Sequence, residues 1–271
     1  MNNDCDLMDN DCDLMDNKDK RPLILISNDD GYSAPGINFL ADVARQWGDV
    51  IVVAPDGPRS GAALGVTFHE VVTEKLISKT DGLEVHSCSG TPVDCVKLGL
   101  AHVCPRKPDL VLGGINHGDN SAVNVHYSGT MGVVTEGCLK HVPSIGFSHC
   151  SHSMSTDFTP MRPYIDRVIG HVLRHGLPDG VCLNVNAPDT PQPRGMKLTR
   201  MGQGVWEKEW VERTSPRGWP YFWLVGHFAS EDQPADISDF NLLQQGFITV
   251  TPTRIDVTAY EAFDVLADLN D

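Results

Sequence analysis

A chain of 271 residues, 41% of them hydrophobic, is long enough for one large α/β domain or a core with an appendage. A formal net charge of −15 argues against nucleic acid or an anionic membrane surface as the main partner, and an anionic substrate would have to be met by local cations or helix N-termini. No apolar run approaches the ~20 residues of a spanning helix and no apolar signal-peptide core is visible, so the expectation is a soluble, cytoplasmic protein.

The chain begins with an acidic segment in which residues 3–9 and 10–16 are the same heptad, Asn-Asp-Cys-Asp-Leu-Met-Asp. It is poor in apolar residues, and residues 1–20 are expected to form a disordered tail. Four apolar β-formers, Leu23 to Ile26, then read as a strand buried on both faces. That strand ends in Asn28-Asp29-Asp30-Gly31 and a turn with Pro35 and Gly36. Ile37, Leu40, Ala41, Ala44 and Trp47 follow at helical spacing. Asp49 to Pro55 reads as a second buried strand, running into the turn-rich Asp56-Gly57-Pro58-Arg59-Ser60-Gly61. Residues 66–77 and 83–88 read as a hairpin of shorter strands.

Thr91 and Pro92 carry the signature of a helix start, and that helix is expected to end near His102. Asp109 to Leu112 is the next strand, terminating in a Gly-rich loop from Gly113 to Asn120. Tyr127-Ser128-Gly129-Thr130 opens a helix through Lys140. Ser144 to Ser148 reads as strand, residues 161–175 as helix and Val181 to Val185 as strand. Buried strands alternating with helices indicate a mostly parallel sheet with helices on both faces. Beyond Pro188 the pattern becomes β-rich, with Lys197 to Met201, Tyr221 to Val225 and Phe247 to Thr251 as strands and Tyr260 to Leu269 as a last helix. Residues 21–271 thus read as one domain, with a core of about 21–190 and an extension of about 191–271. Trp206, Trp210, Trp219 and Trp223 in that extension supply contact area for a partner subunit.

The 8 cysteines include no Cys-x-x-Cys pair, which disfavours a zinc ribbon; Cys95, Cys138 and Cys182 fall in apolar segments and read as buried, reduced thiols. His149-Cys150-Ser151-His152 lacks a second ligand pair and reads as a loop before it reads as a zinc site. Asp29 and Asp30, Ser60 and Asn116 stand at three strand ends. In an open α/β sheet ligands bind beyond those ends. Two carboxylates, a hydroxyl and an amide carbonyl are hard oxygen donors, suited to Mg²⁺, Mn²⁺ or Ca²⁺ rather than zinc. Ser128-Gly129-Thr130, at a helix start, offers N–H groups and hydroxyls to a phosphate. Singly each is as well read as a turn, a tight loop or a cap; together they point to metal-assisted phosphoester hydrolysis.

Five ordered motifs closely resemble the survival-protein-E (SurE) family of nucleotidases. They are Ser27-Asn28-Asp29-Asp30-Gly31 with Ala34-Pro35-Gly36; Val53-Ala54-Pro55-Asp56 with Arg59-Ser60-Gly61; Gly90-Thr91-Pro92-Val93-Asp94-Cys95; Pro108-Asp109-Leu110-Val111 with Gly114-Ile115-Asn116 and Gly118-x-Asn120; and Tyr127-Ser128-Gly129-Thr130. The resemblance runs from about residue 22 to the C-terminus, where Thr249-Val250-Thr251-Pro252 and Asp256-Val257-Thr258 look like the family's last region. It implies a Rossmann-like core and a 5′-nucleotidase acting on nucleoside 5′- and 3′-monophosphates. It also implies one divalent cation per subunit, Mg²⁺ or Mn²⁺, and homodimers or homotetramers with exchanged C-terminal segments. The implied metal ligands are Asp29, Asp30, Ser60 and Asn116, with Asp29 and Asp30 also orienting or deprotonating the attacking water. The implied substrate-binding residues are Asn120, Ser128, Gly129 and Thr130. His117 is near enough in sequence to protonate the leaving alkoxide. The chain departs from the family in having Gly113 where a serine is usual, which implies a missing hydrogen bond, and in the apolar stretch Ala62 to Val66. A phosphatase of broader range and a nucleotide-binding module without turnover are the alternatives.

Overall fold

The computed structural model describes residues 21–269; the expected disordered tail over residues 1–20, with its repeated heptad, lies outside the described residues. β1 (Leu23–Ser27) is buried along its whole length. Ile24 and Ile26 enter one core while Leu23 and Leu25 enter another, as the two-residue period of a strand requires. α1 (Pro35–Ala44) starts with proline in its first turn, where the missing N–H has no helical partner to lose. There follow β2 (Asp49–Pro55), β3 (Glu74–Thr80), β4 (Leu83–Cys88) and α2 (Pro92–Leu98), then β5 (Leu110–His117), α3 (Gly129–Leu139), β6 (Ser144–His149), α4 (Arg162–His175) and β7 (Val181–Ala187). The remainder comprises β8 (Met196–Leu198), β9 (Gly204–Glu207), β10 (Trp210–Thr214), β11 (Pro220–Leu224), β12 (His227–Ser230), α5 (Asp239–Gln244) and β13 (Ile248–Arg254).

Nine strands form one sheet in the order β3-β4-β2-β1-β5-β6-β7-β13-β8. From β4 to β7 every pairing is parallel; β3 and β13 add antiparallel to the two sides of that block. The chain builds outward from β1 through β2 to β4, then returns to the other side of β1 with β5 and continues outward. That reversal leaves a crevice at the carboxyl ends of β1 and β5, the place where doubly wound sheets bind ligands. Residues of α1 and α4, such as Leu40 and Ile165, fill the core on one face, and residues of α2 and α3, such as Val96 and Val134, fill the other. The expected α/β architecture, helices on both faces and a β-rich C-terminal region, is the one observed. The Thr91 cap is realised as a capping box: Asp94 N–H donates to Thr91 Oγ1 at 3.1 Å and Thr91 N–H to Asp94 Oδ2 at 2.9 Å.

Several local expectations are corrected. The first strand of the hairpin begins at Glu74, not residue 66, because Phe68 and Val71 find no partner strand and stand exposed. The helix from Pro92 does end near His102, but its last stretch, Gly99–Val103, is a π turn after the α-helix stops at Leu98. The strand expected to stop at Leu112 runs on to His117 through the two glycines, with a register shift against β6 between Gly113 and Asn116. Bulges of this kind re-aim side chains near sites, and here the shift delivers Asn116 and His117 to the crevice. The closing helix over Tyr260 to Leu269 is two short 3₁₀ turns, Tyr260–Ala262 and Ala267–Leu269. Its apolar residues, Phe263 and Leu266 among them, lie exposed, and a short helix without packing does not sustain itself in water.

Candidate active site

Asp29 is placed by the turn that ends β1. The Asn28 side chain accepts from Gly31 N–H and donates to Gly31 carbonyl, both at 3.1 Å, and Gly31 takes φ +102°, a backbone that L side chains rarely adopt. The Asp29 carbonyl accepts Arg59 N–H at 2.7 Å, tying the Ser60 loop to the same turn. The Asp29 carboxylate is buried, 4% of the residue being exposed, and accepts the Thr130 hydroxyl at 2.7 Å. The N-terminus of α3 abuts it: a Cβ on Gly129 would lie 2.6 Å from Asp29 Cβ. Burial pushes the Asp29 carboxyl up to about 6, the Asp30 charge adds to the rise, and the Thr130 hydroxyl and Gly129 N–H hold it lower.

Asp29, Ser60, Asn116, Asn120 and Ser128 line one cleft of about 520 Å³. Asn116 donates its amide N–H to Gly118 carbonyl at 2.8 Å, which orients Oδ1 the other way as an acceptor. Asn120 is fixed from the sheet: its N–H donates to Asn186 Oδ1 at 2.7 Å, and its amide to Ser148 Oγ at 2.8 Å. Ser128 caps α3, accepting Met131 N–H at 3.0 Å, so its hydroxyl and the first N–H groups of α3 stand together. Asp30 is not itself in the cleft wall but contacts His117, which is. Its Oδ2 lies 3.1 Å from His117 Nδ1 and accepts His117 N–H at 3.4 Å. His117 Nε2 is buried without a hydrogen-bond partner. The ring lines the cleft and holds Asp30 through Nδ1, with Nε2 left without a protein partner.

The donor set fits a hard divalent cation. A buried carboxylate beside a second carboxylate is costly unless a proton or cation relieves it, and the neighbouring oxygens are neutral. Among the described residues no group of three His, Cys, Asp or Glu side chains is placed to hold a metal, so a cation here depends on the hydroxyl and amide oxygens as well. The His149–His152 pair is not arranged around an ion. His149 Nδ1 accepts Ser151 N–H at 3.0 Å and its ring meets Phe158 edge-on, while His152 lies over Gly118. His152, Asn124, Trp206 and Glu209 also line the cleft; Asn124 and Glu209 escaped the sequence reading, which put His152 in a loop and Trp206 at a subunit contact, and Trp206 Nε1 donates to Asn124 Oδ1 at 2.9 Å. The Gly118-His152 contact, in which a Cβ would fall 2.6 Å from the ring, is a signal that only coordinates disclose. Gly113 likewise has no room for a side chain: a Cβ would lie 2.8 Å from Thr130 carbonyl, so α3 packs directly on β5 there.

Comparison with known proteins gives one answer. The family model described as survival protein SurE matches residues 24–208, a span that holds every candidate site residue. A 5′-nucleotidase SurE of Phocaeicola vulgatus is 53% identical over 253 residues, covering 93% of this chain and 98% of that protein. A 5′-nucleotidase SurE of Bacteroides thetaiotaomicron is 51% identical over 249 residues, covering 91% and 95%. The crystal structure of the SurE protein from Aquifex aeolicus superposes with a TM-score of 0.80 at 33% identity, covering 92% of this chain and all of that one, 100%. The crevice at β1 and β5, the ordered motifs that line it and these matches along nearly the whole chain establish that the chain belongs to the SurE family.

Proposed function

We propose that this chain, a 5′-nucleotidase, is metal-dependent and hydrolyses nucleoside 5′- and 3′-monophosphates to nucleoside and phosphate. The observation that carries the reading is the buried Asp29 carboxylate, held between Thr130 and the N-terminus of α3 at the wall of a cleft that Ser60 and Asn116 share. Asp29, Asp30, Ser60 and Asn116 would hold one Mg²⁺ or Mn²⁺. Bound there, such a cation supplies Lewis acidity to a phosphoryl oxygen and lowers the pKa of water. Asp29 and Asp30 orient the attacking water or take its proton. Asn120 and Ser128 offer donors to the equatorial oxygens of a loose phosphoryl-transfer transition state, while Thr130 and Gly129, expected to bind substrate, spend their hydroxyl and N–H on Asp29 and act by holding it. His117 holds Asp30.

Phosphate release from a panel of nucleoside monophosphates and a short polyphosphate, with Mg²⁺, Mn²⁺ or EDTA, tests this. The expected result is release from monophosphates with metal and background release with EDTA. Release that survives EDTA would remove the metal from the reading. A folded protein releasing nothing with either metal would leave a binding module.

Residues 191–271 are proposed to be an oligomerising extension, in a homodimer or homotetramer with exchanged C-terminal segments. The hairpin of β10 and β11 leaves Trp210, Trp219 and Trp223 at 62%, 70% and 62% exposure, and Val257 and Val265 stand at 92% and 80%. Apolar surface of that extent marks an interaction site. Light scattering is expected to give a dimer or tetramer mass, reduced by truncation after Arg254; a monomer mass for the full chain would refute the proposal. Among the described residues no helix is long and apolar enough to cross a membrane; a cytoplasmic location is proposed on the family resemblance.

A further inference from the structure

Asp239 opens α5, beyond the span matched by the family model, and is fully buried, 0% exposed. Among the described residues it pairs with no cationic side chain. Its carboxylate instead collects backbone donors from separate segments: Gly202 N–H at 2.8 Å, Phe240 N–H at 2.8 Å and Ala122 N–H at 3.2 Å, with the Thr251 hydroxyl at 3.4 Å. A buried carboxylate spent on backbone N–H groups and one hydroxyl fixes chain segments relative to one another. Ala122 is the telling partner. It has φ +48°, a left-handed backbone that alanine disfavours and that persists only when its surroundings hold it. It is also the first residue of the 3₁₀ turn Ala122–His126, which leads directly to Ser128 and the start of α3.

The segment from Asn120 to Ser128 is thus clamped twice. From the sheet, Asn184 donates to Asn120 carbonyl at 2.7 Å and Asn186 accepts Asn120 N–H at 2.7 Å. From the C-terminal region, Asp239 grips the next turn at Ala122. We propose that Asp239 is a positioning residue for the substrate loop, its carboxylate holding Ala122 left-handed and so setting where Asn120, Asn124 and Ser128 face the cleft. The role assigned to that loop rests on the nucleotidase reading above. Asp29 and Asp30 follow β1 and Asn116 lies on β5, so these three are carried by the sheet and not by the clamped turn.

The test compares wild type with Asp239→Asn, a change that keeps shape but turns one acceptor into an N–H donor facing N–H groups. Substrate is adenosine 5′-monophosphate with Mg²⁺, and inorganic phosphate is titrated separately as a probe of the loop. Expected are a rise of about tenfold or more in KM and in phosphate Kd, a smaller fall in kcat, and Mg²⁺ affinity unchanged within about twofold. Unchanged KM and phosphate Kd in a folded variant would overturn the proposal. So would equal losses of Mg²⁺ and phosphate affinity alongside a lower Tm, the pattern of general loosening. If Asp239→Asn does not fold, Ala122→Val, which opposes the left-handed backbone at the same turn, is expected to give the same split, and its absence overturns the proposal. Wild-type turnover separates the two readings: a wild type that releases no phosphate sinks the nucleotidase reading, while the ratio of phosphate Kd values still decides the role of Asp239.

Discussion

Replacing Asp29 by Asn is expected to lower kcat/KM for nucleoside monophosphates by about 10³-fold or more, roughly 4 kcal/mol of transition-state stabilisation, and yet to make the metal-free protein more stable at pH 8. Both halves follow from one geometry. The Asp29 carboxyl is buried and burial raises it from the ordinary carboxylate range to about 6. A group whose folded pKa lies above its unfolded value contributes stability that is full below the unfolded pKa and is lost as pH rises through the folded one. Above pH 6 the ionised Asp29 therefore costs the metal-free fold about 3 kcal/mol relative to a neutral side chain. Asn keeps the oxygen that accepts the Thr130 hydroxyl and removes the charge. Calorimetry in EDTA is expected to show the variant melting several degrees above wild type at pH 8 and together with it near pH 4. Added Mg²⁺ should raise the wild-type Tm and leave the variant where it was. Asp30→Asn is expected to match the kinetic loss. If either variant keeps wild-type turnover with Mg²⁺, the ligand assignment is wrong.

The same trade between stability and function explains why this site could be read from residues alone. Leu23 to Ile26 has no polar alternation and so reads as a strand covered on both faces, while the two adjacent carboxylates at its end serve as well for a turn as for a cation until other strand ends are counted with them. The rule that ligands gather at strand ends then collected Ser60 and Asn116 before any coordinates, and both line the cleft with Asp29. What escaped was whatever depends on contacts distant in sequence. Glycine is depleted in strands, so Gly113-Gly114 read as the end of β5 when the strand passes through them to His117. Phe263 and Leu266 have helical spacing, but spacing is no helix without a surface to pack on. Asp239 has no local pattern at all. Its meaning lies in Ala122, 117 residues away.

Gly129→Ala is expected to cost about 100-fold in kcat/KM, although by local rules it should improve the protein. Gly129 is the first residue of α3 and its backbone is not left-handed, so alanine is permitted there and favoured by helix propensity by up to ~1 kcal/mol. The obstacle is the carboxylate. An alanine Cβ would stand 2.6 Å from Asp29 Cβ and 3.0 Å from Asp29 Oδ2, closer than non-bonded atoms approach. Asp29 cannot swing away without giving up the Thr130 hydroxyl at 2.7 Å, and Ser128 and Thr130 flank the substituted residue. The strain must move the start of α3 away from β1. That single displacement separates the two halves of the site, the carboxylates on one side and Ser128 on the other. Overpacking of this kind costs about 1–3 kcal/mol of stability, comparable with the ~2.7 kcal/mol that a 100-fold kinetic loss represents, so the kinetics are compared well below the variant's Tm. The kinetic loss should fall on kcat as well as KM, since the transition state needs both halves together while ground-state binding can use Asn120 and Ser128 alone. A folded Gly129→Ala with wild-type kcat/KM would show that the contact between α3 and Asp29 is packing without consequence for the reaction.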